Sequence, residues 1–164
     1  PEKGLSLRLA RTPGLRYAAG DIEPERYWHL KGVRKVDLLD IPMESGSVDL
    51  LICCHVLEHV PDDARAMREI RRVLSPRGRA LLQTPLSLKR TETDDGDGTE
   101  SVEERIRRFG QSDHVRLYAA EDYPRRLEAA GFSVERWDAF EEDAVAAAKL
   151  RLNPFELLHV CRPS

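Results

Sequence analysis

Side chains that can bind a ligand or move a proton lie in or just after two apolar segments, VDLLD at 36–40 and VDLLICC at 48–54. They are Asp37, Asp40, Cys54, His55, Glu58 and His59. The second segment is apolar enough to predict a parallel strand covered on both faces. Parallel sheets bind ligands at the carboxyl ends of their strands. The sequence therefore predicts a polar site at one sheet edge.

The elements that would position this site alternate between strand and helix. The predicted strands lie at 15–19 with an end at Gly20-Asp21, around Val36, at 48–54 and at 79–84. Predicted helical segments lie around 5–9, at 24–31 and after Pro61, with Met67 and Ile70 on an apolar face. This alternation is typical of a doubly wound α/β fold with a mostly parallel sheet.

The second half of the chain continues with an acidic segment and further elements. Residues 87–100 contain five acids and two glycines without hydrophobic periodicity, which predicts a mobile surface loop rather than an ordered metal site. Helices are predicted at 101–109 and 120–130, strands at 132–137 and 155–161, and an alanine-rich helical or irregular link at 141–152. Because a link joins the last two strands, we expect them to lie antiparallel.

Composition limits the classes of protein to which the chain can belong. The 164 residues, 41% hydrophobic, predict a single domain over 1–164, and the net charge of −3 makes nucleic acid an unlikely partner. No apolar run approaches the ~20 residues of a membrane span. Three cysteines without metal-binding spacing predict a reducing cytoplasm, with Cys53 and Cys161 buried and no metal bound.

The segment HVLEH at 55–59 has a second interpretation. H-x-x-E-H is also the inverted pattern of zinc hydrolases, in which two histidines one helical turn apart hold the metal and the glutamate activates water. That arrangement requires a helix, whereas a strand precedes His55 and Pro61 follows His59 after one residue. The zinc hydrolase through His55, Glu58 and His59 is therefore a remote alternative.

The segment VDLLDIPMESGSVDLLICCHVLEHVPDDARAMREIRRVLSPRGRALLQTP at 36–85 resembles class I S-adenosylmethionine-dependent methyltransferases of the type 11-like group. The segments QSDHVRLY at 111–118, AAGF at 129–132 and ELLHVCR at 156–162 resemble the later part of one bacterial branch. The resemblance implies a Rossmann-like fold with an antiparallel last strand. It also implies S-adenosylmethionine as cofactor and a small-molecule methyl acceptor.

The resemblance further implies roles for individual residues. Asp21 would accept bonds from the ribose hydroxyls, and Asp37 with Leu38 would lie beside the adenine. The alternatives are a turn or helix cap at Asp21 and a solvated strand end at Asp37. Glu2, Cys54 and His55 would border the rest of the cofactor.

On the acceptor side, the resemblance points to two histidines and one arginine. His59 and His114 would act as proton acceptors, and structural roles remain equally open for both. Arg116 would hold an anionic substrate.

The beginning of the chain departs from the family pattern. Members have a first strand and a Gly-x-Gly loop at the methionyl end of the cofactor, and we find neither here. Pro1 resembles the point just after that strand. Either upstream residues are absent and the parent is an active enzyme, or the chain is a catalytically silent binding module. A silent module would complete its sheet through another chain or as a homo-oligomer.

Overall fold

The computed structural model describes residues 2–153 and 156–164. The chain divides into two compact units, one ending at Pro42 and the other spanning Met43–Ser164. Each unit is described by itself below, and the single domain over 1–164 stays a prediction.

The first unit contains a short helix and a pair of parallel strands. Helix α1 spans Lys3–Ala10, and strand β1, Ala19–Asp21, pairs in parallel with β2, Val33–Lys35. A 3₁₀-helix at Pro24–Tyr27 lies between them. The predicted strand ends at Gly20-Asp21 as expected, but it is shorter than predicted, since pairing begins only at Ala19. At Gly20 an added Cβ would lie 2.5 Å from Val36 Cγ2, so this close approach requires glycine.

The second unit is built on a four-stranded mixed sheet. Its strands are β3, Val48–Cys54; β4, Leu74–Gln83; β8, Phe132–Trp137; and β9, Leu158–Pro163. They lie in the order β3-β4-β9-β8, with β3 and β4 parallel and β9 antiparallel to both of its neighbours. This confirms the predicted α/β fold with an antiparallel last strand. The predicted start of that strand, Phe155, lies outside the described residues.

Helix α2, Asp63–Val73, supplies much of the core of this unit. The Asp62 carboxylate caps its start by accepting a hydrogen bond from the Arg65 N–H at 2.9 Å. Its buried positions, Ala66, Met67, Ile70 and Val73, recur at helical spacing, so one face of the helix is apolar. Cys53 and Cys161 are buried as predicted.

A smaller sheet and three helices follow α2 and β4. Strand β5, Leu86–Ser87, and β6, Asp94–Asp95, flank β7, Arg116–Ala119. The helices are α3, Val102–Phe109; α4, Asp122–Ala129; and α5, Ala139–Lys149. The predicted surface loop at 87–100 thus contains paired strand residues, since Asp94 and Asp95 pair with β7. Strand β7 itself is missing from the sequence prediction.

The strand at 48–54 is found as predicted, but the predicted burial of both its faces is not. Leu50 is 46% exposed, so β3 is not buried on both faces. An apolar run indicates a strand without reporting which elements pack against it.

No helix among the described residues has the length and apolar character that a membrane span needs. A cytoplasmic location stays a prediction.

Candidate functional site

The end of β3 leads directly into the candidate site. His55 has a φ of 55°, a left-handed conformation that is uncommon outside glycine, and its N–H donates to the Gln83 carbonyl at 2.9 Å. Residues Leu57–His59 then form a single 3₁₀ turn. The backbone therefore reverses sharply after Cys54, which leaves His55 exposed and buries Leu57 and Glu58.

Glu58 is a buried carboxylate that ties three segments together. Its side chain is 2% exposed, and Oε2 accepts a hydrogen bond from the Thr84 hydroxyl at 3.0 Å. Oε1 lies 3.6 Å from His55 Nδ1, and the backbone carbonyl of Glu58 accepts from Val115 N–H at 2.9 Å. The turn is thereby held against the ends of β4 and the segment before β7.

His59 and His114 meet beside this carboxylate. Their ring centroids are 4.7 Å apart at an interplanar angle of 82°. His59 Nδ1 lies 3.1 Å from the Asp113 carbonyl, and His114 Nδ1 lies 3.1 Å from the Phe109 carbonyl. His114 is 3% exposed, whereas the side chain of His59 is 33% exposed. The structure thus brings both predicted acceptor-side histidines together, but only His59 is open to solvent.

Arg116 is buried, and its guanidinium is bound mainly to backbone carbonyls. It is 5% exposed, and its guanidinium donates to the Leu57 carbonyl at 3.0 Å, the Pro61 carbonyl at 2.9 Å and the Val60 carbonyl. Its Nε donates to Asp95 at 2.8 Å. These donors already fix the turn after β3, and the predicted contact of Arg116 with an anionic substrate stays a prediction.

Asp95 belongs to an ionic cluster behind this turn. Arg116 and Arg126 both donate to its carboxylate, and Arg126 also contacts Asp63 at 3.1 Å. Burial acts to raise the pKa of Asp95, but the hydrogen bonds from Arg126 and Arg116 lower it below its ordinary value. Tyr118 donates to Asp63 at 2.8 Å, and burial raises the pKa of this phenol. The acidic segment therefore supplies structural counter-ions.

The remaining predicted cofactor residues of the first unit lie at strand and helix ends. Asp21 ends β1 level with Lys35 of β2, and its Oδ1 accepts from Glu23 N–H at 2.9 Å. Asp37 follows β2 at the same end of this parallel pair, and its Oδ1 accepts from Leu39 N–H at 2.9 Å. The contact of Asp21 is the turn contact of its alternative interpretation, and Asp37 is exposed at the strand end, as its own alternative has it. Leu38 is half-buried, and Glu2 is exposed at the start of α1.

The inverted zinc-hydrolase pattern is not formed. His55 lies outside the 3₁₀ turn in a left-handed conformation, so His55 and His59 do not occupy successive turns of one helix. The histidine that joins Glu58 and His59 is instead His114. Sequence reasoning missed the environment of Glu58 and the structural role of Arg116. The apolar residues at 117–119 are compatible with a strand, but no local signal indicates the carbonyl partners of Arg116.

Comparison with known proteins places this geometry in context. Residues 3–82 match the family described as "Methyltransferase domain". A "Probable S-adenosylmethionine-dependent methyltransferase" of Mycolicibacterium smegmatis is 33% identical over 103 residues, which is 63% of this chain and 35% of that protein. The ubiquinone biosynthesis O-methyltransferase of Marinobacter nauticus is 29% identical over 90 residues, 50% of this chain and 38% of that protein. The matched segments span 14 to 38% of the length of the curated relatives.

Solved structures resemble the fold over a larger share of the chain. A chain in the complex of the Haloferax volcanii Trm112 methyltransferase activator with a methyltransferase has a TM-score of 0.67 and 20% identity. The match covers 98% of this chain and 78% of that chain. The 1,6-didemethyltoxoflavin-N1-methyltransferase of Burkholderia thailandensis, with bound S-adenosylhomocysteine, has a TM-score of 0.59 and 13% identity. The match covers 92% of this chain and 62% of that chain. At these identities the likeness shows the fold alone, which is Rossmann-like.

Proposed function

We propose that this chain, in which residues 3–82 form a class I methyltransferase domain, binds S-adenosylmethionine and takes part in methyl transfer to a small molecule. The observation that carries the proposal is the position of Asp21 and Asp37. Both follow parallel, paired strands at the same end, inside the segment that matches the family. Ligands of doubly wound sheets bind at this end of the strands.

The proposed cofactor contacts start from these two carboxylates. A carboxylate offers about four lone-pair directions, so Asp21 can accept bonds from two ribose hydroxyls while it keeps its bond from Glu23 N–H. Asp37 would accept from the adenine amine, with Leu38 against the ring. Glu2, Cys54 and His55 are proposed contacts of the methionine half, the last two because they end β3.

S-adenosylmethionine, when bound, supplies a methyl group already activated by a positively charged sulfur. The residues of the chain then need to orient the acceptor, exclude water and accept a proton. His59 suits the last role, because its Nδ1 faces the Asp113 carbonyl and its ring is partly exposed. His114, buried against the His59 ring, is proposed to position it.

A surface pocket near these histidines is the proposed acceptor site. It has a volume of about 380 Å³, and its lining includes Pro61, Arg105, Val115 and Arg116, of which Val115 follows His114 directly. Pockets of this size hold small organic molecules. The identity of the acceptor, and any homo-oligomer or sheet-completing partner, stay predictions.

Calorimetric titration with S-adenosylmethionine and S-adenosylhomocysteine tests the proposal. It is run on this chain and on a longer chain that includes upstream residues, because the matched segments span little of each curated relative. Saturable binding by either chain supports the proposal. Failure of both to bind would overturn it in favour of the catalytically silent module.

A further inference from the structure

We propose that Glu58, His59 and His114 form a binding site for a divalent first-row transition metal ion. One ligand atom from each of the three residues lies within 4.8 Å of the others. Two imidazoles and one carboxylate form a ligand set that suits zinc, iron and related ions. The metal site considered from the sequence used His55 with Glu58 and His59, and His114 was not part of it because it is remote from the HVLEH segment along the chain.

The hydrogen bonds of the two rings favour the metal-binding form of each histidine. His59 Nδ1 faces the Asp113 carbonyl, and His114 Nδ1 faces the Phe109 carbonyl, each at 3.1 Å. Because a carbonyl oxygen can only accept, these contacts place the ring proton on Nδ1. Nε2 then carries the lone pair on each ring. Histidine ligands of metal ions are commonly oriented in this way by a backbone carbonyl.

Glu58 supplies the negative charge of the proposed site. Its side chain is 2% exposed, and a buried carboxylate is costly unless it is hydrogen-bonded or paired with a cation. The Thr84 hydroxyl donates to Oε2, which orients the carboxylate as an outer partner orients a metal ligand. A bound cation would complete the neutralisation of this charge.

The site is held together by contacts that do not involve the proposed ligand atoms. Val115 N–H donates to the Glu58 carbonyl, and Arg116 donates to carbonyls on both sides of Glu58 and His59, at Leu57 and Pro61. The turn after β3 is therefore fixed to the strand that follows His114. Three protein ligands leave further coordination positions open, as in catalytic rather than structural zinc sites.

The inference does not depend on methyl transfer. It requires the lone pair of His59 Nε2, which is also the proposed proton acceptor. His59 Nε2 cannot hold a metal ion and accept a proton at once. Metal binding and the proposed proton transfer at His59 therefore exclude one another, and the test below measures metal binding directly.

The chain is stripped of metal with EDTA and titrated with Co²⁺, with the visible d–d absorption as the signal. We expect saturation at one Co²⁺ per chain and displacement by Zn²⁺. Glu58→Gln, His59→Gln and His114→Gln should each weaken binding at least about tenfold. Zn²⁺ should also raise the melting temperature of the wild type but not that of Glu58→Gln.

Two further variants separate this site from surface binding. His29→Gln alters an exposed histidine of the first unit and should bind Co²⁺ like the wild type. His55→Gln should also retain binding, because His55 is outside the proposed ligand set. Loss of binding in His55→Gln with retention in His114→Gln would assign the ion to an exposed His55/His59 pair and overturn the proposal. Because His114 is buried, Glu58→Gln and His59→Gln keep the test valid if His114→Gln does not fold.

Discussion

The ring of His59 lies edge-on against the ring of His114, with 4.7 Å between centroids, although 54 residues separate them in the chain. One ring is partly exposed and the other is buried. The turn after β3 and the segment before β7 thus act as one structural unit. This pairing underlies both the proposed proton acceptor and the proposed metal site.

Replacement of His59 by glutamine should lower the rate of methyl transfer by about 100-fold, because a general base contributes on that scale. The affinity for S-adenosylhomocysteine should stay within about twofold of the wild type, since His59 is proposed to face the acceptor. Steady-state kinetics with calorimetry separates the two effects. A loss of cofactor affinity equal to the loss of rate would contradict this assignment.

Replacement of Arg116 by methionine should lower the free energy of unfolding by about 3–5 kcal/mol, because it leaves buried carbonyls and Asp95 without their donors. Urea denaturation gives this value. Arg107→Met is the matched control, since the side chain of Arg107 is 76% exposed, and its effect should stay below about 1 kcal/mol. Equal stability of the two variants would show that the Arg116 contacts do not hold the turn.

Acidification should destabilise the second unit through His159. Burial lowers the pKa of His159 from 6.5 to about 4, with a further contribution from Arg136. The unfolded chain then binds the proton more tightly than the folded chain, so stability is full above the unfolded pKa and falls as the pH drops toward 4. Between about pH 7.5 and about pH 5 the loss from this group should be about 2 kcal/mol.

Comparison with His159→Phe isolates this contribution. His159 packs edge-on against Tyr123, with 4.9 Å between ring centroids, and its Nδ1 has no hydrogen-bond partner among the described residues. An aromatic ring of similar shape should keep that packing while it removes the titration. Denaturation at several pH values should therefore give a flatter profile for the variant. Parallel profiles would rule His159 out as the cause.

Thiol labelling should distinguish the three cysteines. Burial raises the pKa of Cys53 and raises that of Cys161 to about 12, so neither should react readily in the folded chain. Cys54 is only half-buried and should react first. Since Cys54 is proposed to border the cofactor, saturating S-adenosylhomocysteine should slow its modification. Mass spectrometry of labelled peptides shows which thiol reacts, and labelling of Cys54 that is unaffected by the ligand would argue against this contact.

The elements that follow strong local patterns could be predicted from the sequence. Strands at 48–54 and 132–137 and the apolar face of α2 appear where hydrophobic periodicity places them. The ends of β1 and β2 were less accurately placed, because three-residue strands carry little periodic signal. Strand β7 was missed because its buried Arg116 looks like a surface residue until its carbonyl partners are known.

In the candidate site, too, the features that depend on local sequence could be predicted and those that depend on long-range packing could not. The polar residues at strand ends could be named in advance, since they depend on local order along the chain. The contact of His114 with His59 and the burial of Glu58 could not, because they depend on how β7 packs beside the turn after β3. Long-range packing of this kind leaves no fixed spacing in the sequence.

The most direct test of the central claim is calorimetric titration of S-adenosylhomocysteine into the wild type and into Asp21→Asn. The asparagine keeps an oxygen for the turn contact with Glu23 but loses the charge proposed to hold the ribose. We expect saturable binding at one ligand per chain, weakened at least about tenfold by Asp21→Asn and unchanged in the exposed control Glu25→Gln. Equal affinity of the wild type and Asp21→Asn, or failure of both this chain and the longer chain with upstream residues to bind, would contradict the account.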